Sequence, residues 1–199
     1  MSNQKLAHYN DSLLYQGQIL EWVRDDSARM EILQIAQSQN LNDWCIGAGF
    51  VRNLVWDHLH DYETLTKLND IDLIYFDPDS GDDIFDDILE VQLQRDTGLP
   101  WSIKNQAKMH SRNHDRPYTS TEDGMRYWVE VESAVGVRLE DNGELVLLAP
   151  FGVEALFQYS ITINPQRPRP RDLIRRVNIG CWLDKWPRLT IKEFFRQPA

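Results

Sequence analysis

Residues 69–77, NDIDLIYFD, constrain this chain more tightly than any other stretch. The run from Ile71 to Phe76 is apolar enough for a buried β-strand, yet Asp70 and Asp72 stand at its mouth. Side chains two apart on a strand share a face, so the two carboxylates are neighbours while Ile71 and Leu73 turn the other way. Two close carboxylates repel, and desolvation adds to the cost. Such a pair either sits at a solvated strand end or receives a cation. Mg²⁺ would suit it, because that ion takes hard carboxylate oxygens together with waters and substrate phosphates.

The segment just upstream favours the cation. In CIGAGFVRN (45–53) an apolar run enters Gly47-Ala48-Gly49, and helical spacing follows through Phe50, Val51, Leu54, Val55 and Leu59. Glycines at such a turn let backbone approach a ligand closely, and a helix N-terminus favours anionic phosphate. A phosphate cradle on one strand and a metal pair on the next are complementary parts of a phosphoryl-transfer site. Arg52, in the first turn after Gly49, is expected either to meet a phosphate or anchor an aspartate, or to lie on the surface.

The remaining elements supply a frame. Leu13, Leu14, Ile19, Leu20 and Val23 form one helical face, and Met30, Ile32, Leu33, Ile35 and Ala36 form another after Asp25-Asp26-Ser27. DWCIG (43–47) and 70–76 read as strands, 82–95 as a helix, PWSIKN (100–105) as a strand and 120–131 as a short helix. SAVGVRL (133–139) and ELVLLAP (144–150) flank an Asn-Gly turn, a hairpin signal. FGVEALFQYSI (151–161) reads as helix, and NPQRPRPRD (164–172) as an exposed Pro/Arg linker to a C-terminal segment. This order predicts an α+β or mixed α/β fold on one sheet. We expect N-terminal helices over 1–40 packed on a core over 41–163, and a Pro/Arg linker with a C-terminal extension over 164–199, all in one compact unit.

Composition narrows the partners. The 199 residues carry a net charge of −10, which makes long nucleic acid a poor default partner unless a local basic patch exists. Arg167, Arg169, Arg171, Arg175 and Arg176 are the one basic run, suited to a triphosphate or an acidic acceptor. Two distant cysteines, Cys45 and Cys181, exclude a disulfide framework and a Cys-based zinc site, and suit a reducing compartment. The start, MSNQKLAHYNDSLLYQ, lacks the order of a signal peptide, and no apolar run approaches the ~18 residues of a membrane span. A cytoplasmic protein is expected.

GAGFVRNLVWD, NDIDLIYFD, KNQAKMH, SAVGVRLEDNG, LAPFG and KWPRLT together resemble a bacterial nucleotidyltransferase-like family of unassigned substrate, over about residues 45–190. That family lies in the superfamily built on the DNA-polymerase-β-like catalytic domain. The resemblance implies an α+β fold with a mixed β-sheet flanked by helices, opened by N-terminal helices and closed by a C-terminal helical extension. It implies metal-dependent transfer of a nucleoside monophosphate from an NTP to a hydroxyl on a small molecule or protein, with release of pyrophosphate. Asp70 and Asp72 would hold Mg²⁺ or Mn²⁺; Gly47, Ala48, Gly49 and Arg52 would serve the nucleotide. Lys104, Asn105 and Gln106 would hydrogen-bond a base or sugar, or cap a helix.

Two positions depart from that pattern. Ala48 stands where the superfamily commonly has serine or glycine. Ser102 stands where a third carboxylate is expected, with Glu130 and Glu132 as possible substitutes. A catalytically silent nucleotide-binding module, or a protein-interaction module on the same fold, is therefore the alternative.

Overall fold

The computed structural model describes residues 3–80 and 84–192. Two helices, α1 (Asn3–Asp25) and α2 (Ser27–Gln37), open the chain. Asp26 separates them and caps α2 by accepting a hydrogen bond from the Arg29 N–H at 3.0 Å. Strand β1 (Cys45–Gly47) leads into α3 (Gly49–Leu59), and β2 (Ile71–Tyr75) into α4 (Phe85–Thr97). Then come β3 (Trp101–Asn105), α5 (Gln106–Asn113), α6 (Thr121–Met125) and the hairpin β4 (Gly136–Leu139) and β5 (Leu145–Leu148). The sheet order is β3-β2-β1-β4-β5. β2 and β3 are parallel, whereas β1 is antiparallel to both β2 and β4, so the sheet is mixed. The fold is the expected α+β arrangement.

Alternation along β2 sets up the site. Ile71, Leu73 and Tyr75 enter the main core beneath α1, α2 and α3, together with Ile46, Phe50, Leu54 and Ile103. Asp72 and Ile74 face the other way. There Ile74 joins Cys45, Met125, Ala134 and Leu148 in a second, smaller cluster that covers only the far end of the strand. The end bearing Asp72 stays partly open.

The C-terminal third departs from the sequence reading. Residues 151–161 do not form an α-helix: a 3₁₀ turn covers Glu154–Phe157, Tyr159 turns the chain at φ 50°, and it continues as β6 (Ser160–Thr162). Ile161, Thr162 and Ile163 are β-branched, and Ile161 is fully buried, so strand packing outweighs the helical spacing. β6 pairs in parallel with β7 (Thr190–Lys192). The helix expected over 120–131 stops at Met125, and Glu130 instead bridges Ile163. The helix expected over 82–95 begins at Phe85; residues 81–83 lie outside the described residues.

Residues 164–172 are not a free linker. Asn164 is fully buried and donates to the carbonyls of Arg126 and Trp128, and Arg167 pairs with Asp115 at 3.0 Å. Pro170 then starts α7 (Pro170–Gly180), followed by α8 (Trp182–Lys185). Leu173, Val177, Trp182 and Trp186 pack on Trp56 of α3 and on Ile161 and Ile163. The extension thus rests on the helix that begins at the glycine turn.

Candidate active site

Asp70 is exposed just before β2, and Asp72 is half-buried one step inside it. Burial pushes the Asp72 carboxyl up to about 6, and the neighbouring Asp70 pushes the same way. Arg176, Arg52 and a hydrogen bond from Ser102 pull against this without cancelling it. Ser102 sits directly opposite Asp72 in the β2–β3 register. Among the described residues no group of three His, Cys, Asp or Glu side chains converges on a point. Two carboxylates still fit Mg²⁺, which keeps several waters and shares its remaining positions with phosphates. The uncompensated charge at Asp72 is what such an ion would offset.

The turn between β1 and α3 is held by backbone. The Ala48 N–H donates to the Val135 carbonyl at 2.9 Å, and the Ala48 carbonyl accepts from the Val51 and Arg52 N–H groups. Ala48 has φ 52° and ψ −119°, a conformation that strains an L-residue, and no side chain caps the helix. The two glycines are explained by the chain's own side chains. A Cβ at Gly47 would lie 2.9 Å from the Trp128 ring, and one at Gly49 would lie 3.3 Å from the Asn53 amide. The space beside both α-carbons is filled by the chain's own side chains, while Gly49 still lines a cleft.

Arg52 lies inside rather than at the surface. Its guanidinium carbon is 4.0 Å from the centre of the Trp182 ring and 5.1 Å from that of Trp56. It donates to Asn53 Oδ1 from two nitrogens and to Ser133 Oγ from the third. Burial lowers its pKa to about 10, so it remains a cation at neutral pH, with Glu130, Asp70 and Asp72 close enough to favour its charge. Arg176, on α7, donates from Nε to Glu130 Oε1 at 2.7 Å, and its side chain is otherwise half exposed. Glu130 is almost fully buried, and its Oε2 has no partner. Glu132 is equally buried but faces away, accepting from the Thr162 N–H at 2.8 Å; burial pushes it up to about 7.

Two clefts meet at this point. One, of about 250 Å³, holds Asp70, Asp72, Gly49, Arg52, Lys185 and Trp182. The other, of about 290 Å³, runs past Ile74 to Lys104, Gln106, Tyr127, Trp128 and Arg169. Ala48, Asp72 and Arg176 line both. Lys104 reaches the second cleft while pairing with Glu90 at 3.1 Å, and Gln106 lies buried at its floor. Asn105 lines neither cleft: it caps α5 through the Ala107 N–H and exchanges hydrogen bonds with the backbone of Asp77. Its side chain is spent on structure.

Sequence reasoning singled out the arginine run but not its destination, and it missed Tyr127, Trp128, Trp182 and Lys185 as cleft residues. Only the tertiary fold assembles these. A strand–turn–helix with paired aspartates at the start of the adjoining strand, flanked by cations, is an arrangement suited to nucleotidyl transfer. The chain belongs to the family described as Nucleotidyltransferase, whose profile matches residues 34–191. No curated protein matches it. A solved structure described as revealing a CCA-adding enzyme head domain is 32% identical, with a TM-score of 0.77 over 89% of this chain and 96% of that one. The complex of a CCA-adding enzyme with CTP shares the fold at 14% identity and a TM-score of 0.55; the match covers 89% of this chain but only 43% of that one. No helix among the described residues is long and apolar enough to cross a membrane.

Proposed function

We propose that this nucleotidyltransferase moves a nucleoside monophosphate from an NTP to a hydroxyl acceptor, with Mg²⁺ or Mn²⁺ held by Asp70 and Asp72. One observation carries this reading: both carboxylates share a cleft with the uncapped N-terminus of α3 and with Arg176 and Lys185. The pair would hold the divalent cation, which would supply charge neutralisation to the bound triphosphate. The first-turn N–H groups of α3, at Gly49 and Phe50, would receive phosphate oxygens, aided by the helix dipole. Arg176 would meet the triphosphate directly, and Arg52 would raise the local potential from within.

The acceptor oxygen then bonds to the α-phosphorus as the bridge to the β-phosphate breaks. Pyrophosphate leaves with that electron pair, and the hydroxyl proton passes to water in the open cleft. The acceptor is a small molecule, a protein or a nucleic acid. The net charge of −10 does not weigh against the last, because Lys104, Arg167, Arg169 and Arg176 gather beside Asp72. A cytoplasmic location goes with this reading.

The test is pyrophosphate release and transfer of α-phosphorus label from each of the four NTPs, with Mg²⁺ or Mn²⁺, by the intact protein and by Asp70→Asn and Asp72→Asn. Metal-dependent turnover lost in both variants supports the reading. Ser102 opposite Asp72 favours a second one, a silent nucleotide-binding module. Metal-dependent thermal stabilisation by an NTP, ~2.7 kcal/mol at a hundredfold excess over its dissociation constant, without pyrophosphate release would select it.

A further inference from the structure

The two clefts differ in what they can hold. The smaller contains both aspartates and the start of α3, so on the transfer reading above it receives the metal-bound triphosphate. The larger contains only Asp72 from that pair, and four cations: Lys104, Arg167, Arg169 and Arg176. Lys104 and Arg167 are each paired with one carboxylate. Arg167 Nη1 nevertheless remains buried without a partner. Arg169 is half-buried and has no ion pair or side-chain hydrogen bond among the described residues. Arg176 spends Nε on Glu130 and leaves the rest of its guanidinium to the cleft. Half-buried cations without partners lose hydration unless an anion replaces it.

The rest of the wall suits a flat ring. Tyr127 and Trp128 both line it: Tyr127 is stacked on Tyr118 at 4.9 Å with the Arg116 guanidinium 5.5 Å from its ring centre, and Trp128 is seated against Gly47. Gln106 and Asn113 also line this cleft, with one amide N–H of each donating to the Lys104 carbonyl and the Tyr118 hydroxyl respectively. Its volume, about 290 Å³, lies at the small end of ligand sites, a match to one nucleotide rather than a long chain. In-line displacement requires the attacking hydroxyl and the leaving pyrophosphate on opposite sides of the α-phosphorus. Asp72 stands where the two clefts join, which is where that phosphorus would lie.

We propose that the larger cleft is the acceptor site and takes a nucleotide unit, its phosphate on Arg167, Arg169 and Arg176 and its base against Tyr127 and Trp128. A free mononucleotide and the last residue of an oligonucleotide present this same chemistry. The acceptor role rests on the transfer reading; the binding of a nucleotide unit in this cleft does not.

The experiment uses the full chain with fluorine-labelled tryptophan, the Trp128 and Trp182 signals being assigned by Trp→Phe variants. The probes are AMP, a short oligoadenylate and a Mg²⁺ complex of a non-hydrolysable ATP analogue. AMP or the oligoadenylate should shift Trp128 and leave Trp182 in place, and the ATP analogue should shift Trp182. Arg169→Ala should weaken the AMP or oligoadenylate response by roughly tenfold or more. A tighter response to the oligoadenylate than to AMP assigns the site to a chain end, and equal responses assign it to free nucleotides. If neither probe moves Trp128 at millimolar concentration, or if the ATP analogue moves Trp128 instead of Trp182, the assignment is overturned. An ATP analogue that moves neither signal sinks the transfer reading, while the AMP and oligoadenylate responses still judge the acceptor cleft.

Discussion

Two guanidinium groups flank the aspartates, and their surroundings are opposite. Arg52 forms the inner wall: it is buried between Trp56 and Trp182, and each of its nitrogens donates to Asn53 or Ser133. Arg176 forms the outer wall, half exposed on α7, with one nitrogen tied to buried Glu130. A cation whose donors are all used can shape the potential but cannot grip a ligand. A cation anchored through one nitrogen can do both. On the proposed reading, the inner wall serves stability and the outer wall binding.

The sharpest way to break this division is to remove each side chain in turn. Arg52→Met leaves Ser133 and Asn53 without their donor and loosens two tryptophans, a loss of about 2–4 kcal/mol. Urea unfolding measures it, and a loss below about 1 kcal/mol would refute a structural inner wall. Arg52→Lys should not rescue it, because an ammonium cannot reproduce the three directed bonds.

Asp72 lies between the walls and is next in size. Its folded pKa, about 6, lies above the ordinary value of 3.8, so the folded state holds the proton more tightly than the unfolded chain. The stability this contributes is complete below about pH 4 and is lost as pH rises through about 6. Asp72→Asn should thus stabilise the metal-free protein at pH 8 by about 1–3 kcal/mol and have little effect at pH 4. Metal affinity should move oppositely: the ionised carboxylate is the ligand, so apparent Mg²⁺ affinity should fall as pH drops below about 6. Calorimetric titration at pH 5 and pH 8 checks this, and equal affinities would remove Asp72 from the metal site.

On the outer wall, Arg176→Ala leaves a buried Glu130 oxygen without its donor and should cost about 1–2 kcal/mol. Adding Glu130→Gln should return most of that loss but none of the nucleotide affinity. A double-mutant cycle read by both unfolding and nucleotide binding separates the two roles. Recovery of both together would mean that Arg176 serves only to neutralise Glu130.

The same contrast governs what could be read before folding. The β1–α3 turn, the aspartate strand and the β4–β5 hairpin are local, since each depends on periodicity and turn residues a few positions apart. Their outlines were legible in CIGAGFVRN, NDIDLIYFD and the Asn-Gly turn. The second cleft was not, because Lys104, Trp128 and Arg169 meet only after β3, the segment following α6 and the 164–169 loop converge. Residues 151–161 misled for a related reason: helical spacing held over the first half, and the partner that makes 160–162 a strand lies 30 residues later in β7. Arg52 was placed beside the site, but nothing local revealed that Trp182, far along the chain, would enclose it.

The smallest effect concerns the turn on which both walls rest. Ala48 holds φ 52°, a region in which glycine is at ease and other residues are strained. Ala48 is buried, so Ala48→Gly gives up one packed methyl, about 0.8 kcal/mol, while relieving backbone strain. Against that relief stands the larger unfolded-state entropy of glycine, worth about 0.5–1 kcal/mol. Strain in this region runs to about 1–3 kcal/mol, so the net should be a gain of up to about 1 kcal/mol in unfolding free energy. The turn sets where the first N–H groups of α3 point, so relaxing it should also weaken nucleotide binding although no ligand-contacting side chain has changed. Increased stability with reduced affinity would mark Ala48 as a strained positioning residue. Lower stability would mean that the surrounding hydrogen bonds, from Ala48 to Val135 and from Arg52 to Ala48, hold this conformation without strain.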